Sequence, residues 1–241
     1  MLTINADDFG KDLETINAID FGFANHLINQ TTIMINMGYI DYSKDLAIKN
    51  LYLNNVGLHL NLTEGMPLTE EIKKYNLFCD ENTGLFNKNI IKRKNKIFRL
   101  SKEQKEAVRK EISAQMDLFK KSGFTNMHLD SHHHVHKVHC ILKIVLEEAS
   151  KNGFENIRIA RNTGKHNIGY YANLIVNKKI KKSKIKGFTK YFFNSLSEYN
   201  LSTLIDENVE IECHPILKEG ELYDKNIKFT DFLGRYGVSG L

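Results

Sequence analysis

Histidines are concentrated in one short part of this chain. Six of the ten lie between residues 128 and 139, where the sequence reads HLDSHHHVHKVH. Imidazole is the commonest protein ligand for borderline metal ions such as zinc. A row this dense predicts a metal site, with the remaining histidines orienting the ligands through hydrogen bonds. The candidates within the row are His132, His133, His134 and His136.

The spacing within this row does not decide which imidazoles bind an ion. If the segment coils into a helix, His132 and His136 share a face. If the segment is extended, His133 and His134 point to opposite faces, because neighbouring side chains alternate along a strand. We therefore expect that His133 and His134 are not both ligands of one ion.

Two adjacent carboxylates, Asp7 and Asp8, follow an apolar segment near the start of the chain. Neighbouring carboxylates repel each other unless a cation or a proton lies between them. One aspartate would be enough to cap a following helix. The pair therefore indicates a metal ligand beside a general base.

Two further sets of candidate residues lie in or after strand-like segments. His59 lies within the apolar sequence GLHLNL, where a single histidine is more often a satisfied core residue than a ligand. Glu210, Glu212 and His214 alternate, so a strand would place all three on one face. Two acids and a histidine inside a barrel would be costly unless they perform chemistry.

Several common catalytic motifs are absent from the sequence. It contains no GxSxG serine motif, no glycine-rich phosphate loop and no HExxH motif. What remains is a combination of carboxylates, histidines and a metal ion, which activates water for hydrolysis.

Composition and length indicate an ordinary globular protein. The chain has 241 residues, 41% of them hydrophobic and 26% charged, so we expect one domain over residues 1–241. Neither a membrane-spanning apolar run nor a signal peptide is seen, so a cytoplasmic location is the expectation. Three widely spaced cysteines predict neither a disulfide framework nor a CxxC zinc site.

The positive charge is local. The net charge is +5, but seven lysines lie between Lys178 and Lys190 with no acid among them. Without them, 27 basic residues face 29 acidic ones, so the protein as a whole is not basic. Neither arginine nor regularly interleaved aromatic residues accompany the lysines, so we expect a solvated face and no nucleic-acid partner.

Short apolar segments alternate with helix-like ones, which predicts parallel strands joined by helices. Strands are expected at residues 2–5, 32–36, 56–62, 126–130, 157–160 and 209–213. Helices are expected at residues 13–28, 39–49 and 140–151, and from a capping box at Ser101 and Gln104 to near Gly123. Residues 63–99 are expected to be irregular, and residues 162–205 show no clear pattern.

The element order favours an α/β fold, first a (β/α) barrel with about seven strands and second an open doubly wound sheet. In both folds the active site lies at the carboxyl ends of the parallel strands. The polar residues that follow each strand should therefore converge.

Four motifs, in the same order, resemble those of the YdjC-like carbohydrate deacetylases, a family that includes chitooligosaccharide deacetylases. They are ADDFG at residues 6–10, GLHLNLT at 57–63, HLDSHHHVH at 128–136 and ECHP at 212–215. The similarity runs from residue 2 to about residue 216. It implies a (β/α) barrel that removes N-acetyl groups from an amino sugar or short oligosaccharide.

The resemblance also implies roles for individual residues. One divalent ion, zinc or magnesium, would be held by Asp8, His59 and His132, with Asp7 as catalytic base and His214 as general acid. Imidazole ligands suit zinc better, since magnesium prefers oxygen. The residues expected to orient these groups or contact the substrate are Asp130, His133, His134, His136 and Glu210.

Two other functions stay open at this point. One is a different metallohydrolase, such as an O-deacetylase or a phosphoesterase. The other is a non-catalytic glycan-binding module that uses the lysine-rich stretch and loses affinity as salt rises. The sequence also leaves open the sugar, the metal, which of Asp7 and Asp8 is the ligand, and whether the chain forms a homo-oligomer.

Overall fold

A computed structural model describes residues 1–94, 99–199 and 207–236. Eight strands form one parallel sheet in the order β6-β5-β4-β3-β2-β1-β8-β7. The strands are β1 (Leu2–Phe9), β2 (Gln30–Ile33), β3 (Val56–Leu60), β4 (His128–Ser131), β5 (Asn156–Ile157), β6 (Lys186–Gly187), β7 (Tyr191–Phe193) and β8 (Val209–Cys213).

The sheet curls into a nearly closed barrel. β6 and β7 are its two edge strands, yet only residues 188–190 separate them. The amide of Phe188 donates to Ile157 next to β6, and the amide of Lys190 donates to Asn208 just before β8. The segment 186–193 therefore spans both edges, and β6 and β7 share one position around the barrel. The expected (β/α) barrel with about seven strands is confirmed in this form.

Eight helices lie in the described part of the chain. They are α1 (Leu13–Ala24), α2 (Ile40–Lys49), α3 (Glu70–Lys73), α4 (Asn89–Lys92), α5 (Lys102–Lys121), α6 (His139–Lys151), α7 (Ile168–Lys181) and α8 (Phe229–Arg235). The four predicted helices are confirmed as α1, α2, α5 and α6, although α1 ends earlier than expected.

The two stretches without a clear pattern contain regular structure. Residues 63–99 include α3 and α4, and residues 162–205 include α7, β6 and β7. Strands of two or three residues are too short to show an alternating pattern, which explains why sequence reasoning did not find them. Residues 95–98 and 200–205 of these stretches lie outside the described residues.

A small antiparallel sheet follows the barrel. It consists of β9 (Pro215–Lys218), β10 (Glu221–Asp224) and β11 (Ile227–Lys228), and it contacts α1. Proline at the first position of β9 ends the parallel ladder one residue after β8, so the chain leaves the barrel there. Among the described residues, no helix combines the length and apolar character needed to cross a membrane.

The predicted capping box of α5 is confirmed. Ser101 Oγ accepts from the amide of Gln104 at 3.1 Å, and Gln104 Oε1 accepts from the amide of Ser101 at 2.9 Å.

We expect Ser101→Ala to lower the free energy of unfolding by about 1 kcal/mol, because an amide at the helix start loses its acceptor. Urea denaturation measures this. Ser122→Ala, at the other end of α5, is the control, and equal losses in both variants would contradict the capping role.

Candidate metal centre

A β-bulge at the end of β1 brings both aspartates to one place. Ala6 pairs with Thr31 and Phe9 pairs with Ile33, so β1 has one more residue than β2 over this interval. Asp8 has φ of 68°, a left-handed conformation that aspartate tolerates better than most residues. In a regular strand, adjacent side chains would face opposite sides. The bulge lets Asp7 and Asp8 both approach the interior of the barrel.

Asp8, His59 and His132 converge at the carboxyl ends of β1, β3 and β4. Asp8 Oδ1 lies 3.2 Å from His59 Nε2 and 2.7 Å from His132 Nδ1. One donor atom of each residue lies within 4.8 Å of the others, and all three side chains are buried. One carboxylate and two imidazoles form a donor set that fits a divalent ion such as zinc with positions left for water or substrate. The three residues predicted as ligands are thus brought together.

The carboxylate of Asp130 contacts His59 on the edge of the ring opposite to Asp8. Its Oδ1 lies 2.6 Å from His59 Nδ1, and its Oδ2 accepts from the hydroxyl of Thr32 at 2.9 Å. Such a carboxylate fixes the imidazole and leaves Nε2 free to face an ion. Burial opposes a charge on His59, but the carboxylates of Asp130 and Asp7 outweigh it and raise its pKa well above the usual value.

Glu64 lies on the other side of His132 and was not predicted. Its Oε2 is 3.0 Å from His132 Nε2, and this hydrogen bond lowers the pKa of Glu64. The side chain is one-third exposed, so it stands at the mouth of the site. A signal was present in the sequence, since Glu64 directly follows the GLHLNLT motif.

Arg158 binds the carboxylate of Asp7 in the interior of the barrel. Its Nη1 and Nη2 each donate to one carboxylate oxygen of Asp7 at 2.7 Å. The same guanidinium contacts Asp130 Oδ2 at 2.7 Å, Glu210 Oε1 at 2.6 Å and Glu212 Oε2 at 3.3 Å. Arg158 is fully buried, so one cation joins four carboxylates in the barrel interior.

This central arginine was also missed by sequence reasoning. Arg158 lies between Ile157 and Ile159. A single charged residue inside an apolar strand was the feature of the sequence that could have indicated a buried functional group. Glu210, expected to orient the site or touch substrate, is fully buried beside Arg158. Burial raises the pKa of Glu210 to about 7. Glu210 is therefore placed to hold the guanidinium of Arg158 rather than to contact substrate.

Replacing this arginine should destabilise the fold. Arg158→Met would leave four carboxylates buried without their shared cation, and we expect the free energy of unfolding to fall by about 3 kcal/mol or more. Chemical denaturation monitored by circular dichroism measures the loss. Arg161→Met is the matched control, because Arg161 pairs with Glu198 at a site where both side chains are about one-third exposed and about 1 kcal/mol or less is expected. Similar losses in both variants would show that the buried network adds no stability.

The histidine row forms a tight turn rather than a strand or an α-helix. Residues His132–Lys137 form 3-10 turns, and His133 and His134 have φ of 50° and 53°. Both alternatives for this segment are therefore wrong, because left-handed residues interrupt an α-helix and are not extended. The reasoning for His133 and His134 from strand alternation does not apply, and the expectation that they are not both ligands of one ion stays a prediction.

The turn sends the histidines in different directions. His133 Nδ1 lies 2.9 Å from Thr63 Oγ1, and His134 Nε2 lies 3.4 Å from Glu212 Oε2. His136 Nδ1 lies 2.5 Å from Ser131 Oγ, so His136 does not join His132. Burial lowers the pKa of His136 well below the usual value.

A second group of side chains surrounds the end of β8. Asp7, Glu212 and His214 each offer an atom within 4.8 Å of the other two. Glu212 is buried whereas His214 is exposed at the open end of the barrel. Lys137 is close to Glu212, lies 6.0 Å from the ring of Phe192, and has a pKa lowered by burial to about 8. The predicted acid thus lies beside the predicted base.

The sequence is similar to those of known proteins. The sequence profile of the family described as YdjC-like protein matches residues 1–232. A carbohydrate deacetylase from Clostridium beijerinckii is 31% identical over 89% of this chain and 80% of its own length. One from Vibrio cholerae serotype O1 is 28% identical over 88% and 76%.

A solved structure shows the same fold. It is a protein from Enterococcus faecalis described as a cellobiose-phosphate cleavage protein. The two structures superpose with a TM-score of 0.65 at 22% identity, over 97% of this chain and 84% of the other.

Proposed function

Because this chain belongs to the YdjC-like protein family, we propose that it is a metal-dependent hydrolase that removes N-acetyl groups from an amino sugar or short oligosaccharide. Relatives named carbohydrate deacetylase support a deacetylase activity. The observation that carries the metal dependence is the convergence of Asp8, His59 and His132 within 4.8 Å. One divalent ion per chain is the proposed cofactor.

The proposed ion would be held by Asp8, His59 and His132. When bound, it supplies a Lewis acid and lowers the pKa of water to near 7. Two nitrogen ligands favour zinc over magnesium, which prefers oxygen. Asp130 keeps His59 in the ligand orientation, and Glu64 does the same for the outer nitrogen of His132.

Asp7 is the proposed base that accepts the proton of the attacking water. Both of its oxygens accept from Arg158, which fixes the carboxylate, while Oδ2 stays 3.9 Å from His59 Nε2. Asp8, in contrast, faces the two imidazoles. This difference supports Asp8 as the ligand and Asp7 as the base.

His214 is the proposed acid that protonates the departing nitrogen. Its exposed ring has a nitrogen within 4.8 Å of a carboxylate oxygen of Asp7 and of Glu212. A base and an acid next to each other can act on opposite ends of the same amide. Cleavage of the C–N bond would give acetate and a free amino sugar.

Acetate release from a substrate panel tests this function. The panel contains N-acetylglucosamine oligomers, an O-acetylated sugar and a phosphate ester, each with zinc, magnesium or a chelator. We expect acetate from the N-acetylated sugars and loss of activity with the chelator. Turnover of only the ester or only the phosphate would replace the proposal with one of the other metallohydrolase functions, and binding without turnover would indicate a non-catalytic module.

A further inference from the structure

A long part of the chain around α7 carries no negative charge. Residues 156–197 contain eight lysines and two arginines but neither aspartate nor glutamate. Since the whole chain has a net charge of +5, the other residues together are negative. Arg158 is buried among carboxylates, whereas Lys178, Lys181, Lys182 and Lys184 are exposed. These four exposed lysines lie together in the last turn of α7 and directly after it.

Two of these lysines, Lys182 and Lys184, border a groove along α6, between α5 and α7. Two neighbouring cavities of about 600 and 430 Å³ share His139, Lys143, Glu147 and Lys179. A third, of about 390 Å³, continues past Ser150 at the other end of α6. We call this the α6 groove, and its floor and rim residues used below are Leu142, Lys143, Leu146, Glu147, Lys151, Lys179, Lys182 and Lys184.

The groove combines an apolar floor with a positive rim. Leu142 and Leu146 lie at the bottom of the larger cavity. Glu147 is the acid that lines it, and its carboxylate already accepts from Arg109 at 2.9 Å. Among the described residues, Lys182 and Lys184 form no ion pair. The rim therefore has charge available for an anion.

The groove begins at the same end of the barrel as the candidate metal centre. The turn His132–Lys137 starts at the proposed ligand His132 and places Lys137 beside Glu212. His139 follows two residues later, begins α6 and lines the cavities of about 600 and 430 Å³. A chain with one unit in the site would therefore enter the groove from this end of the barrel.

We propose that the α6 groove binds the extended chain of an anionic, N-acetylated polysaccharide, a proposal that rests on the function proposed above. The apolar faces of sugar rings fit over Leu142 and Leu146, and the acidic groups of such a chain fit the lysine rim. In the described part of the chain, no phenylalanine, tyrosine or tryptophan lines the cavities of about 600 and 430 Å³, and His139 is the aromatic ring there, so the bases of single-stranded nucleic acid would find little to stack on.

Binding of a hyaluronan decasaccharide, which alternates N-acetylglucosamine with glucuronate, tests the groove. The variant is Lys182→Gln with Lys184→Gln, and the control with the same net charge is Lys49→Gln with Lys218→Gln on other faces. We expect hyaluronan affinity to fall about fivefold in the groove variant and less than twofold in the control, and to weaken as salt rises. Neutral chitohexaose should bind all three proteins alike.

Three results would overturn the groove proposal. The first is unchanged hyaluronan affinity in the groove variant. The second is an equal loss of hyaluronan affinity in the groove variant and in the control. The third is tighter binding of an oligothymidylate with the same number of charges. Acetate release from short neutral N-acetylated sugars is measured on the same preparations. If that release is absent while the groove variant still loses hyaluronan affinity, the deacetylase proposal fails and the surface remains an anion-binding one.

Discussion

Replacing His59 or His132 by alanine should remove the divalent ion and lower acetate release by at least about 10³-fold. Each imidazole is one of the three proposed donors, which are Asp8, His59 and His132, and two remaining ligands hold a divalent ion poorly. Elemental analysis of purified protein should find about one ion per chain in the unmodified protein and little in either variant. Rates are measured on the same samples.

A surface histidine provides the control for this experiment. His166 is exposed, stacks on Tyr170 and belongs to none of the groups of described side chains that could hold an ion, so His166→Ala should keep the ion and the activity within a few-fold. Circular dichroism shows whether each variant is folded. Full metal occupancy in both His59→Ala and His132→Ala would remove the three-ligand site from consideration.

His214→Ala should keep the ion but lower turnover by about 10²- to 10⁴-fold, the usual contribution of a general acid. His214 lies within 4.8 Å of Asp7 and Glu212 but outside the group formed by Asp8, His59 and His132. An N-acetylated compound with an activated anilide leaving group needs less protonation and should be spared in part. The measurements are metal content and turnover of both substrate types in one preparation.

Two outcomes would contradict this role of His214. Loss of the ion together with activity would make His214 a ligand, and unchanged turnover would make it a structural residue. In the second case the proton must come from another group. His136 is fully buried and bonded to Ser131, so Lys137, with its pKa lowered to about 8, becomes the next candidate.

Sequence patterns were sufficient for the parts of the site that depend on strand direction. Asp8 and the histidine row each follow an apolar strand-like segment, and parallel strands bring their carboxyl ends to one edge of a barrel. The convergence of the aspartate pair with the histidine row could therefore be predicted without knowing any contact. His59 lies inside its segment, and the choice of His59 and His132 as ligands came from the resemblance to the YdjC-like family. Local hydrogen-bond chemistry was equally readable, as the capping box of α5 shows, because both partners lie within four residues.

Contacts across the barrel were decided by the tertiary structure. Arg158 meets Asp7, Glu210 and Glu212 from strands far away in sequence, and alternation gives the face of a residue but not its partner on the opposite wall. The extra residue in β1 that turns Asp8 inward changes a single φ angle and leaves no periodic signal.

The histidine row shows the same division. Its composition alone determined that a metal site was expected there, because imidazoles at a strand end are suitable ligands. Which histidine faces Asp8 was decided by left-handed φ angles at His133 and His134, which direct His134 and His136 elsewhere. Backbone conformations of this kind are stabilised by surrounding contacts rather than by the residues' own preferences, so only the folded structure reveals them.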